Sequence, residues 1–258
     1  MRHLITTIFA SLAVSALAQS GPMFDPASAP VPASAAVSWT NDTYGLVSWW
    51  TLDEGSGSVA HDASGNSDTG TIYGSPTWIT GIITNGLSLT ATGSEYVLGA
   101  NTFNSGTATL SCWIKTSSAM SYNSFIMGCM DGASDLGTFD KDLYITPSGT
   151  VSWYLYSGTT KTVTSTTTVT DGNWHFIAGV CDGANMTLYI DAAPAATMAA
   201  GTSYAGYAHP NMYLSGTNGG SSAPWFGYST SSLDDCRFYN RGLTAFEITN
   251  LFHLWSGK

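Results

Sequence analysis

The sequence predicts an all-β protein whose antiparallel sheets stack as a sandwich, and three observations carry that prediction. From Tyr44 onward, short segments alternate apolar and polar residues, the period-two signature of half-buried strands. Turn residues punctuate these segments at regular intervals with no helical pattern between them, which excludes a parallel α/β fold. Finally, 9 Trp, 13 Tyr and 10 Phe in 258 residues supply bulky core side chains, and only 9% of the residues are charged. So many aromatics exclude a disordered chain.

The N-terminus reads as an export signal. Arg2 and His3 precede an apolar run from Leu4 to Leu17, and Ala16-Leu17-Ala18 is the small-x-small pattern of a processing site, so residues 1–18 are expected to be removed. The run is too short and too rich in Thr, Ser and Ala for a membrane span. Residues 19–43, with Pro22, Pro26, Pro30 and Pro32 among Ala and Ser, read as an extended linker, and residues 44–258 as one domain.

Within that domain Leu46–Leu52 opens the series of strands. Leu110–Lys115 follows, and Asp142–Thr146 and Val151–Tyr156 flank the turn Pro147-Ser148-Gly149. Thr162–Thr170 reads as a strand with its turn. Trp174–Cys181 and Met186–Asp191 flank Asp182-Gly183-Ala184, and Met212–Ser215 and Leu233–Tyr239 complete the set. One helix is expected near the C-terminus. Thr244 and Glu247 fit a capping box, and Ile248, Leu251 and Phe252 form an apolar stripe behind it.

Seven Lys+Arg against 17 Asp+Glu give a formal net charge of -10. Such a chain cannot neutralise many phosphates, so nucleic acid and anionic membrane surfaces are excluded as partners. Cys112, Cys129, Cys181 and Cys236 match no zinc-ligand spacing. In an oxidising compartment four cysteines allow two disulfides, with Cys112–Cys236 the pairing favoured here; the alternative is that each is a small buried side chain in a strand.

Four stretches resemble the laminin G-like jelly-roll domains of the concanavalin A-like lectin/glucanase superfamily, of the kind found in bacterial secreted proteins. They are LVSWWTLDEGSG (46–57) with HDASGNSDTGTI (61–72), TLSCWIKT (109–116), DGNWHFIAGVCDGANMTLYIDA (171–192) and SLDDCRFYNRGLTAFEI (232–248). The resemblance covers about Tyr44 to Phe252. It implies a two-sheet jelly roll whose first and last strands lie close together, with Trp50 in its core.

Asp62, Ser64, Asn66 and Asp68 place oxygen side chains at every second position beside Gly65 and Gly70, a pattern that suits a hard cation such as Ca²⁺. The resemblance implies a structural Ca²⁺ near this loop and the terminal strands, adding Asp234 or Asp235 as ligands. The competing reading is that these side chains hydrogen-bond their own backbone. A second acidic cluster, Asp131, Asp135, Asp140 and Asp142, reads as the crown of a ligand pocket, as a site for another ion, or as a solvated loop.

On strand 151–156, Val151, Trp153 and Leu155 share one face and Tyr154 and Tyr156 the other, so a core on the first face leaves two tyrosines as platforms for a sugar ring. Trp225 and Tyr228, in the loop 218–229, are further candidates. Neighbouring Trp49 and Trp50 must face opposite ways. The E-x-D-x-E pattern of glycosidases on this fold is missing, the histidines form no catalytic motif, and His175 reads as structural, so no catalytic residue is assigned.

Together these readings describe a secreted, non-catalytic module that binds a glycan or glycosylated surface, with Ca²⁺ shaping the fold; the periplasm and the cell surface are the other destinations. A self-assembling extracellular structural or virion-decoration subunit is the alternative from another class, and a polysaccharide hydrolase or lyase is a third.

Overall fold

The computed structural model describes residues 43–254 except 93, 101–104, 119–120, 131–138, 157, 202–208 and 217–225, and only the backbone of Phe139 and Phe226–Tyr228. The leader and all of the linker but Thr43 therefore lie outside the described residues, as do Asp131, Asp135 and Trp225.

The strands in chain order are β1 (Leu46–Trp50), β2 (Val59–Ala60), β3 (Gly70–Tyr73), β4 (Thr77–Thr80), β5 (Asn85–Leu89), β6 (Tyr96–Ala100), β7 (Ala108–Lys115) and β8 (Asn123–Met130). There follow β9 (Phe139–Ile145), β10 (Thr150–Tyr156), β11 (Thr160–Thr168), β12 (Trp174–Cys181), β13 (Asn185–Ile190) and β14 (Ala193–Ala199). The last are β15 (Asn211–Leu214), β16 (Phe226–Tyr228) and β17 (Ser231–Tyr239), before the helix α1 (Ala245–His253). One sheet runs β14-β13-β12-β7-β17-β5-β4 with β1 also on β17; the other runs β11-β10-β9-β8-β15-β6-β3-β2 with β16 on β8.

The pairings are antiparallel except that β16 runs parallel to β8, with Tyr228 opposite Phe125. Tyr228, expected in a loop, is thus in a strand. The first and last strands pair directly, Trp50 opposite Cys236 and Trp49 opposite Arg237. Two expected turns close hairpins: Gly149 (φ 82°) lies between β9 and β10, and Gly183 (φ 93°) between β12 and β13, each in the left-handed region that glycine enters without strain.

The core lies between the sheets, and strand alternation decides which residues enter it. On β10, Val151, Trp153 and Leu155 point inward; on β12, Ile177 points inward while Phe176, Ala178 and Val180 join a second apolar layer outside the eight-stranded sheet. Ile248 and Leu251 of α1 cover that layer, so β7 and β12 are buried on both faces and read as nearly continuous apolar runs. The helix start is fixed as expected. Thr244 Oγ1 accepts from the Glu247 amide, and the Glu247 carboxylate accepts from the Thr244 amide at 2.8 Å and from both Arg241 terminal nitrogens at 3.0 and 2.7 Å. Such a cap stabilises a helix by about 1 kcal/mol.

Trp50 is fully buried, edge-on to Phe238, and donates from Nε1 to the Asp68 carbonyl at 2.8 Å. Trp49 faces the other way and donates from Nε1 to Asp235. The expected disulfide is corrected: all four cysteines are buried free thiols. Cys112 and Cys236 lie on adjacent strands inside the apolar core; burial pushes the Cys236 thiol well up, and the neighbouring Cys112 thiol adds to the rise.

Candidate functional site

The loop after β2 uses its polar side chains to fasten itself to β1. Asp62 Oδ1 accepts from the Trp49 and Ser64 amides, both at 2.9 Å, and Oδ2 from the Ser64 hydroxyl at 2.7 Å and the Asp68 amide at 3.0 Å. These bonds outweigh desolvation and lower the Asp62 pKa. Ser64 Oγ and Asn66 Nδ2 both donate to the Val47 carbonyl, and Asn66 also to that of Leu46. The single Ser64 hydroxyl proton is shared between Asp62 Oδ2 and the Val47 carbonyl, while three backbone amides are held by Asp62 outright.

Asp234 and Asp235 diverge. Asp234 Oδ2 accepts from the Ile82 and Ile83 amides, and Asp235 Oδ1 from Trp49 Nε1 and Arg237. Each keeps one buried oxygen without a partner, and burial carries the Asp234 carboxyl up to about 7. No three His, Cys, Asp or Glu side chains among the described residues converge as a metal group. Asp62, Asp234 and Asp235 thus take their hydrogen bonds from different donors.

The outer face of the nine-stranded sheet has a different character. Strand register places Thr162, Tyr154, Asp142, Gly128, Tyr213, Leu98 and Thr71 in one row across β11, β10, β9, β8, β15, β6 and β3. At its centre Tyr213 donates to Asp142 Oδ1 at 2.6 Å. Gly128 makes room for this bond, since a Cβ there would lie 2.0 Å from that oxygen and 2.8 Å from the phenolic oxygen. Burial holds the Asp142 carboxyl well above its ordinary range, with nearby Asp140 adding to the rise. Asp140 and Asp142 are accordingly buried residues of β9, which corrects the solvated-loop reading for both.

Beside this row Tyr144 hydrogen-bonds Ser152 and Thr162, and Tyr154 hydrogen-bonds Thr160; burial raises both phenols, so they stay neutral at physiological pH. Tyr154 and Tyr156 are half-buried, as alternation along β10 predicts, and Thr160 and Thr164 are exposed residues next to them, their hydroxyls bonded to Tyr154 and to Ser152. At the far side Tyr73 stacks on Tyr96, centroids 4.6 Å apart. The face thus combines neutral aromatic rings with hydroxyl donors and acceptors, the pairing that suits a polyhydroxylated ring. The sequence reading found Tyr154 and Tyr156 but missed Tyr144 and Tyr213. Alternation along β9 puts Tyr144 on the face of Asp142; the signal for Tyr213 lies only in cross-strand register.

The Laminin_G_3 family model, described as concanavalin A-like lectin/glucanases superfamily, matches residues 90–249. No curated protein matches the chain. Among solved structures, the binding domain of Paraclostridial Mosquitocidal Protein 1 is similar at TM-score 0.66 and 14% identity, covering 83% of this chain and 53% of that one. A botulinum neurotoxin type C structure, whose cell entry is described as dependent on two ganglioside molecules, is similar at TM-score 0.63 and 12% identity, covering 83% and 52%. The chain therefore spans about half the length of these toxin structures. Domain 4 of AbnA, a GH43 extracellular arabinanase from Geobacillus stearothermophilus in complex with arabinotriose, is similar at TM-score 0.63 and 17% identity, covering 80% and 97%. By the family match over most of its domain, and by a fold shared with these binding domains, the chain belongs to the concanavalin A-like lectin/glucanases superfamily, in its laminin G-like branch.

Proposed function

We propose that this chain is an exported, non-catalytic module that binds a glycan on the outer face of the nine-stranded sheet, with Tyr154 and Tyr156 as the ring platforms. The register row that sets Tyr154 beside the Asp142–Tyr213 pair carries the reading. A fully buried acid bonded to a phenol is a rigid support for neighbouring side chains. The similar structures include an arabinanase domain with arabinotriose and a toxin described with gangliosides, which supports a glycan as the ligand class. Export follows from the reading of residues 1–18. The reading rests on the tyrosine face and is independent of the Ca²⁺ expected at the Asp62 loop.

A glycan array probed with the purified chain and its Tyr154→Ala variant tests the proposal. Specific binding that the variant loses supports it. A blank array accompanied by large assemblies in light scattering would favour the structural-subunit alternative.

A further inference from the structure

The outer face of the eight-stranded sheet carries a second, chemically different cleft. About 270 Å³ in volume, it is lined by Lys115, Ser88, Ser117, Ser118 and Ser232 together with Thr116, Gly172 and the segment Thr230–Ser231. Ser88, Ser232 and Lys115 are register neighbours across β5, β17 and β7, and Trp174 of β12 continues the same row. They share the outer face because their neighbours Leu87, Leu233 and Ile114 fill the core.

Lys115 stands apart from the other cations. Among the described residues Lys141 pairs with Asp140, Arg237 with Asp235 and Arg241 with Glu247, while Lys161 donates to the Ala199 carbonyl. Lys115 alone of the described lysines and arginines has neither an ion pair nor a hydrogen bond, and it is exposed. The hydroxyls of Ser88, Ser117, Ser118 and Ser232 around it are likewise unengaged, whereas that of Thr116 is spent on the Ser118 and Thr230 carbonyls. In a chain of net charge -10, the unspent cation sits in a concave bed of free hydroxyls.

We propose that this cleft binds a carboxylated sugar. The ammonium of Lys115 takes the carboxylate and the serines exchange hydrogen bonds with ring hydroxyls. A charge-assisted bond supplies the selectivity, because a neutral sugar leaves Lys115 without its counter-charge. This inference rests on the glycan-binding reading but names a different face and a narrower ligand class.

The test is calorimetric titration of the purified chain with digalacturonate, with its methyl ester, with sialyllactose and with lactose, each repeated on Lys115→Met and Tyr154→Ala. Acetate and inorganic sulfate serve as simple-anion controls. The expected result is that at least one acidic sugar binds about tenfold tighter than its neutral counterpart. Lys115→Met abolishes that preference with melting unchanged, and Tyr154→Ala leaves it intact; which acid is preferred separates a uronic from a sialic source. Equal affinity for acid and neutral forms, or an acid preference that survives Lys115→Met, overturns the inference while leaving the Tyr154 reading standing. Sulfate binding as tightly as any acidic sugar would reduce the cleft to a general anion site and also overturn it. So would acidic sugars giving no heat at all.

Discussion

Tyr213 and Asp142 meet at 2.6 Å above Gly128, on three adjacent strands whose register brings phenol, carboxyl and bare backbone to one point. A Cβ on Gly128 would also lie 2.6 Å from the Lys141 carbonyl, where neither neighbour is a flexible side-chain end. Gly128→Ala is therefore expected to cost at least ~3 kcal/mol by forcing β8 and β9 apart. Tyr213→Phe keeps the shape but strands a buried acceptor, costing about 1–3 kcal/mol. Urea unfolding of both variants checks the order. A harmless Gly128→Ala would mean that the row is not packed as described.

Asp234 sets the neutral side of the stability profile. Its folded-state pKa is raised to about 7, so between about pH 4 and 7 the native state keeps a proton that the unfolded chain releases. Stability from this group therefore falls as pH rises through that interval and levels off above it. Asn mimics the protonated acid, keeps an acceptor for the Ile82 and Ile83 amides, and cannot titrate. Asp234→Asn is expected to melt higher than the parent at pH 8 and to flatten the slope between pH 4 and 7. Parallel melting curves for the two proteins across that range would contradict the assignment.

The Asp62 loop acts with the opposite sign. Its lowered pKa contributes stability that is present above the ordinary carboxylate range and lost as pH falls through the depressed value. Because Asp62 spends its lone pairs on three amides and a hydroxyl, Asp62→Ala should destabilise the domain by a few kcal/mol, on the order of several lost charge-assisted bonds after relaxation. Exchange from Ca²⁺ into EDTA should shift melting by no more than about a degree. A large EDTA effect that Asp62→Ala removes would restore this loop as a calcium site.

Four buried free thiols make redox state a clear readout. Melting should be the same with and without dithiothreitol, and alkylation of the native chain should be slow, reaching four cysteines only on unfolding. A drop in melting temperature on reduction would show that Cys112 and Cys236 close to a disulfide.

Much of the fold was legible because local rules and tertiary packing agree. Alternation sorted Val151, Trp153 and Leu155 from Tyr154 and Tyr156, glycines marked the turns at 149 and 183, and Thr244 with Glu247 announced the helix. The sites were less legible. Whether Asp62 binds an ion or its own backbone depends on which amides fold back onto it, and the same residue types serve both ends. Asp140 and Asp142 looked like solvated acids because their burial depends on the strands that flank β9. Tyr213 and Lys115 gain meaning only from neighbours distant in sequence, through pairings that no periodicity reveals.

The central claim is that the tyrosine face binds sugar, and the most direct measurement is the affinity of the leading array glycan for the parent, Tyr154→Ala and Tyr156→Ala chains. Loss of a stacking ring is expected to weaken binding about tenfold or more while melting stays within a few degrees. Unchanged affinity in both variants, with binding retained, would place the glycan elsewhere on the molecule and contradict the account.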